Sequence, residues 1–245
     1  MTDPAPRFAR AAAPGTYMRA HRYLILLLVL VLYIFSEAYA QRAFFSQTMS
    51  SVFLTLLALV VFLVVFDGWW ERAAAFVVAL AGLAFAWTHL LPLAMIDSLV
   101  HGVAHHLLMA AFMGFAVAVI LGNIFRRGRI TNDDVLGTVC GYVLAAGCFA
   151  NLYAACELVV PGSFSLAAES QVLKDSHTRT ALFNYFSIVT LTTVGYGDIT
   201  PVRAPATAIA MVEAIFGQFY IAVVVAQLVG LWMSQAGRGN SSRAP

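Results

Sequence analysis

The run Thr192-Thr193-Val194-Gly195-Tyr196-Gly197-Asp198 holds the clearest chemistry in the chain. Its functional groups are backbone carbonyls. A ladder of carbonyl oxygens aimed at one axis can replace the hydration shell of a monovalent cation. Successive carbonyls face one side only where some residues take left-handed backbone angles, which glycine does without steric cost. Gly195 and Gly197 stand where such angles are needed. The Thr193 hydroxyl can add an innermost ring of oxygen. Asp198 then lies at the outer mouth, where a carboxylate attracts cations.

A second constellation is Asp97, His101 and His105, spaced i, i+4, i+8, with His106 adjacent. On a helix the three share roughly one face. Two imidazoles and a carboxylate suit a divalent metal such as Zn²⁺, or a sensor of external pH. Histidines at a helix end are more often ordinary surface residues. His101-x-x-x-His105-His106 also resembles a fragment of the histidine boxes of di-iron membrane enzymes, but those sites need more ligands than the six histidines of this chain provide. Cys140, Cys148 and Cys156 fall in one apolar segment and read as small packing residues.

The elements that must position these groups are membrane helices. The chain is 61% hydrophobic and 11% charged, with mean hydropathy +0.84, which excludes a soluble domain of this length. A net charge of +2 gives no nucleic-acid signal. A bilayer core of about 30 Å needs about 20 apolar residues per helix. Six candidate spans follow, at 23–43, 51–67, 73–95, 103–125, 134–158 and 205–233. An amphipathic stretch at 180–191, too short to span, enters the glycine-rich run. Non-helical backbone at membrane depth is tolerated where it lines a water-filled path. The expected fold is therefore all-α, with a re-entrant helix and loop between the fifth and sixth spans.

Arg19 and Arg22 before the apolar run Tyr23–Phe35, with Ala38-Tyr39-Ala40 after it, resemble a signal peptide, but a first spanning helix is the preferred reading. With the N-terminus inside, Arg7, Arg10, Arg19, Arg22, Arg72, Arg126, Arg127, Arg129, Arg238 and Arg243 face the cytoplasm. Arg42, Lys174, Arg179 and Arg203 face outside, so the positive-inside rule favours this orientation. Thr131-x-x-Asp134 is positioned to cap the fifth helix, Pro161-Gly162 to end it, and Pro205 to start the sixth. Trp69, Trp70 and Trp232 sit where interfacial aromatics belong.

From about Thr131 to Met233 the chain resembles the pore module of tetrameric potassium channels, particularly bacterial ones. The resemblance implies a selectivity filter at Thr193, Val194, Gly195, Tyr196 and Gly197, with Asp198 at the outer mouth. It implies K⁺ as permeant ion, no cofactor, a homotetramer in the lipid bilayer, and a place in the plasma membrane, the inner membrane of a bacterium. Tyr185, Phe186, Thr192 and Glu213 take the place of filter-supporting groups. Gly217 stands at the family's hinge glycine, Ile221 and Val225 would line the inner cavity, and Gly230 would lie near the cytoplasmic constriction. The bland alternative for Gly217 is helix packing. Glu213, an ionisable group inside a span, is a functional candidate by default or a carboxyl bonded between helices behind the filter.

Many relatives have two tryptophans early in the pore helix, where this chain has Tyr185 and Phe186, so part of that brace is expected to be missing. A pore-helix glutamate of some bacterial relatives is replaced by Val189, which removes that partner of Asp198. Residues 1–22 are expected to be cytoplasmic, 23–125 a four-helix domain, 126–133 a linker and 134–233 the pore. Residues 234–245 would form a short disordered tail with no room for a ligand-binding domain. The fourth span, Val103–Phe125, contains no arginine or lysine, so voltage dependence is expected to be weak. The rival readings are a metalloenzyme built on His101, His105 and His106, an ion-coupled transporter, or a non-selective cation channel.

Overall fold

The computed structural model describes residues 22–39, 46–66, 68–87, 98–126, 131–166 and 176–241. Helices α1 (Arg22–Tyr39), α2 (Ser46–Val65), α3 (Trp69–Ala86), α4 (Ser98–Arg126) and α5 (Asn132–Val159) come first. Strand β1 (Phe164–Leu166), helix α6 (Ser176–Leu191), strand β2 (Ile199–Pro201) and helix α7 (Ala204–Ser241) complete the order. Three described helices are long and apolar enough to cross a membrane: Leu99–Arg126, Asn132–Val159 and Ala204–Gly230. Shorter apolar helices cover Arg22–Ser36 and Leu54–Val65.

Helix α5 is the centre of the fold. It packs against α1, α4, α6 and α7, so it is buried on nearly every side. Its stripe of small residues, including Gly141, Ala145, Gly147, Ala150 and Ala154, lets these neighbours come close. The N-terminus of α5 is capped as expected. Thr131 Oγ1 accepts from the Asp134 N–H at 3.2 Å, and the Thr131 N–H donates to Asp134 Oδ2 at 3.0 Å. Asp133 pairs with Arg22 at 3.6 Å and accepts from the Tyr23 N–H at 3.2 Å, so α1 and α5 begin in one layer. Helix α1 is thus part of the core, contributing Tyr23, Leu26, Leu30 and Tyr33. One buried cluster runs from α1 through α5 to Tyr220 and Val224 of α7.

Two features depart from the sequence reading. The backbone of α7 continues to Ser241, beyond the expected end near 233. No proline interrupts it between Pro205 and Pro245, and its glycines cost only about 1 kcal/mol each. The expected disordered tail is corrected to helix for residues 234–241. Strands β1 and β2 were not anticipated. They pair antiparallel with Phe164 opposite Pro201 and Leu166 opposite Ile199, tying the segment after α5 to the segment after residue 198. Glu157 closes α5 here, accepting from the N–H groups of Gly162 and Ser163 at 2.8 and 2.9 Å.

The cysteines are free, and Cys140 and Cys148 donate to the backbone carbonyls of Tyr23 and Ala110, in keeping with a packing role.

Candidate functional site

Helix α6 ends where the glycine-rich loop begins, and the loop folds back onto that end. The Thr192 N–H donates to the Ile188 carbonyl at 3.0 Å and the Thr193 N–H to Thr190 at 3.0 Å. The Val194 and Gly195 N–H groups both reach the Val189 carbonyl, at 3.0 and 3.4 Å. These contacts satisfy orphan carbonyls at the helix C-terminus and spend the loop's donors on the protein side. Among the described residues, no backbone N–H donates to the carbonyls of residues 193–197. Those oxygens are left for another partner. The negative end of the α6 dipole lies at the same place and favours a cation.

The loop backbone alternates. Thr193, Gly195 and Gly197 have φ of +59°, +57° and +79°, while Val194 and Tyr196 do not enter the left-handed region. Thr193 is the only non-glycine with positive φ among the described residues. A left-handed residue at every second position is the geometry that brings successive carbonyls to one side. In the single chain the whole loop from Thr192 to Asp198 is exposed.

Three elements hold this loop from behind. The Tyr142 hydroxyl of α5 donates to the Leu191 carbonyl, the last residue of α6, at 2.6 Å. Gly217 of α7 is buried against the same residue. A Cβ at Gly217 would lie 2.7 Å from the Leu191 oxygen. The helix runs unbroken through this glycine, and a close approach to the loop's base explains it. Gly217→Ala is expected to push α7 from Leu191 and cost about 1–3 kcal/mol. Thermal unfolding of the purified protein would show a lower midpoint; an unchanged midpoint would refute the close packing.

Glu213 lies one turn earlier on α7 and has no exposed surface. The Tyr153 hydroxyl of α5 donates to its Oε2. Ser187 Oγ of α6 touches its Oε1 and lies 2.8 Å from the Ala146 carbonyl. Ser187 has one proton, and a carbonyl can only accept. Both Ser187 contacts are hydrogen bonds when Ser187 donates to Ala146 and a neutral Glu213 donates to Ser187. The carboxyl bonded between helices is therefore the reading that fits Glu213. Phe186 is buried and takes no part in a polar brace, but it joins Tyr153, Phe164 and Phe183 in an aromatic cluster with ring centres 4.7–6.1 Å apart.

Asp198 is not without a partner. The Tyr185 hydroxyl donates to its Oδ2 at 2.8 Å, and its Oδ1 accepts from the Ile199 N–H at 3.1 Å. The Tyr185 ring stacks on Tyr196, with centroids 6.4 Å apart and planes 6° apart. The loss of a partner at Val189 is thus met by a tyrosine one turn earlier on the same face of α6. Thr192 bonds back to the Ile188 carbonyl at 2.7 Å. Ile221, Val225 and Gly230 lie further along α7 and are exposed in the single chain.

The His105 and His106 rings lie edge to face with centroids 5.1 Å apart, but they bond to different helices. Asp97 lies outside the described residues. His105 Nδ1 is 3.2 Å from the Gly82 carbonyl of α3, and buried His106 is 2.9 Å from Asn151 Oδ1 of α5. Among the described residues no three His, Cys, Asp or Glu side chains are grouped to hold a metal. Tyr142, Tyr153 and Ser187 went unrecognised in the sequence. A polar side chain inside an apolar span was the available signal for each.

A family described as "Ion channel" matches residues 143–233, from the middle of α5 through the loop to α7. Protein LctB of Bacillus caldotenax is 31% identical over 133 residues, covering 50% of this chain and 96% of that protein. The chain belongs to the ion channel family. The matched region of the channel contains α6, the alternating loop and the Glu213 contacts together. The match supports ion-channel activity, and three helices long and apolar enough to cross a membrane fit a membrane protein.

Proposed function

We propose that this channel is selective for K⁺ and that four copies surround one conduction path. The observation that carries the reading is the alternation of left-handed residues at 193, 195 and 197, with the loop's N–H groups turned back onto α6. Thr193–Gly197 form the filter, with Asp198 at its outer mouth. Four such loops would replace the ion's hydration shell with carbonyl oxygens. One chain supplies a single loop, so its oxygens need three more copies to enclose an ion. The α7 surface supports this assembly. It buries a stripe through Ala206, Glu213, Gly217, Tyr220 and Val224, yet leaves Met211, Val212, Ile215, Phe219 and Val223 exposed. Such a surface suits neighbouring copies and lipid.

In this reading six helices cross the plasma membrane with the N-terminus inside. The pore module begins at α5, Tyr185, Phe186, Thr192 and Glu213 support the filter, and Ile221 and Val225 line the inner cavity. K⁺ is the permeant ion, and no cofactor is required. The test is native mass measurement of the purified protein together with cation uptake into liposomes. Four chains per particle and uptake of K⁺ but not Na⁺ are expected. A monomer or dimer with equal uptake of both would refute the proposal.

Opening is expected to be weakly voltage-dependent. One elementary charge crossing the field contributes about 2.3 kcal/mol per 100 mV, and steep gating moves about 3–4 such charges per subunit. The apolar span of α4 offers none. Open probability against voltage, in K⁺ and again in Rb⁺, checks this. A steep sigmoid unaffected by the ion would reveal a sensor elsewhere.

A further inference from the structure

One turn beyond Gly217 on α7, buried Tyr220 reaches across to α5. Its hydroxyl donates to the Thr138 carbonyl at 2.6 Å. In an α-helix that carbonyl also accepts from the N–H four residues on, here that of Tyr142, and its second lone pair takes the tyrosine. Gly141 makes room for the contact, because a Cβ there would lie 2.6 Å from the Tyr220 oxygen. The Tyr220 ring meets the rings of Tyr142 and Phe216, with centroids 5.2 and 5.7 Å away. Tyr142 in turn donates to the Leu191 carbonyl at 2.6 Å, next to the Thr192 that starts the glycine-rich loop. A chain of contacts thus runs from α7 through two tyrosines to the loop's base.

We propose that Tyr220 is a positioning residue for the loop, acting through Tyr142. Tyr142 is only partly buried, so its ring needs a wall to hold its hydroxyl on Leu191. Tyr220 supplies that wall, and its own bond to Thr138 fixes where the wall stands. A phenylalanine would fill the same space, so packing alone does not call for a hydroxyl at 220. The same helix carries Gly217 against the Leu191 oxygen. Leu191 is therefore held by α7 directly and again through the tyrosine pair. Displacing α7 from α5 would release both holds and free the Leu191 carbonyl. The N–H bonds of residues 192–195 to the end of α6 would then open more often. That this changes conduction rests on the function proposed above.

The test is hydrogen–deuterium exchange of the full chain, purified at a fixed K⁺ concentration and followed by mass spectrometry in a peptide spanning residues 192–195. Tyr220→Phe removes only the hydroxyl. It should speed exchange in that peptide about two- to tenfold, the range of one net hydrogen bond. Tyr142→Phe should do the same, and the double variant no more than the Tyr142 change alone. Gly141→Ala displaces the Tyr220 hydroxyl from the α5 side and should match Tyr220→Phe. It should add little to that variant, since the nearest ring carbon that remains is 3.7 Å from the new Cβ. Thermal unfolding identifies any variant that has failed to fold, and the others then decide. Faster exchange in α5 and α7 alone, with the loop peptide unchanged, would reduce Tyr220 to helix packing and overturn the proposal. Additive effects of the two tyrosine changes would overturn the route through Tyr142. Exchange does not depend on conduction, so a protein that shows these effects but passes no K⁺ would refute the channel reading and leave the role of Tyr220 standing.

Discussion

Gly195→Ala should abolish selective K⁺ conduction while leaving a folded protein. Gly195 has φ of +57°, and no atom lies within 4 Å of a Cβ added there. The penalty is therefore conformational. An L-residue pays about 1–2 kcal/mol for the left-handed region, and four chains would pay it around one path. The relaxed loop would turn carbonyls away from the axis. Thr193 already carries this strain at φ +59°, held by its N–H bond to Thr190, so a second strained residue falls in a loop with few further contacts to absorb it. Cation flux into liposomes checks the outcome. Selective K⁺ flux at the unmodified rate would show that the left-handed angle at 195 is dispensable.

Glu213→Ala should cause the largest loss of stability among single changes near the loop. It strands the Tyr153 hydroxyl and unties Ser187 in a site without solvent. Each buried polar group left unmet costs about 1–3 kcal/mol. Glu213→Gln should be much milder. Its amide oxygen can accept from Tyr153, and its NH₂ can donate to Ser187 as a neutral carboxyl would. Thermal unfolding of both variants decides. Glutamine as damaging as alanine would contradict the neutral-acid arrangement.

What was legible in the sequence was what is local. Left-handed backbone angles are a local property that glycine announces, and φ at 195 and 197 agrees. The Thr131–Asp134 cap joins residues three apart and was equally readable. What escaped depends on partners far along the chain. Tyr142 meets Leu191 across 49 residues, and Tyr153 meets Glu213 across 60. The pairing of β1 with β2 is similarly long-range. For Asp198, position-by-position matching expected a loss, but the Tyr185 hydroxyl reaches the carboxylate. The histidine spacing was real on α4, yet neighbouring helices decide what each ring meets.

Selectivity is read most directly from the reversal potential of the reconstituted channel with K⁺ on one side and Na⁺ on the other. A filter of Thr193–Gly197 carbonyls predicts a reversal potential close to the K⁺ equilibrium value. A reversal near zero, from a correctly assembled protein, would contradict it.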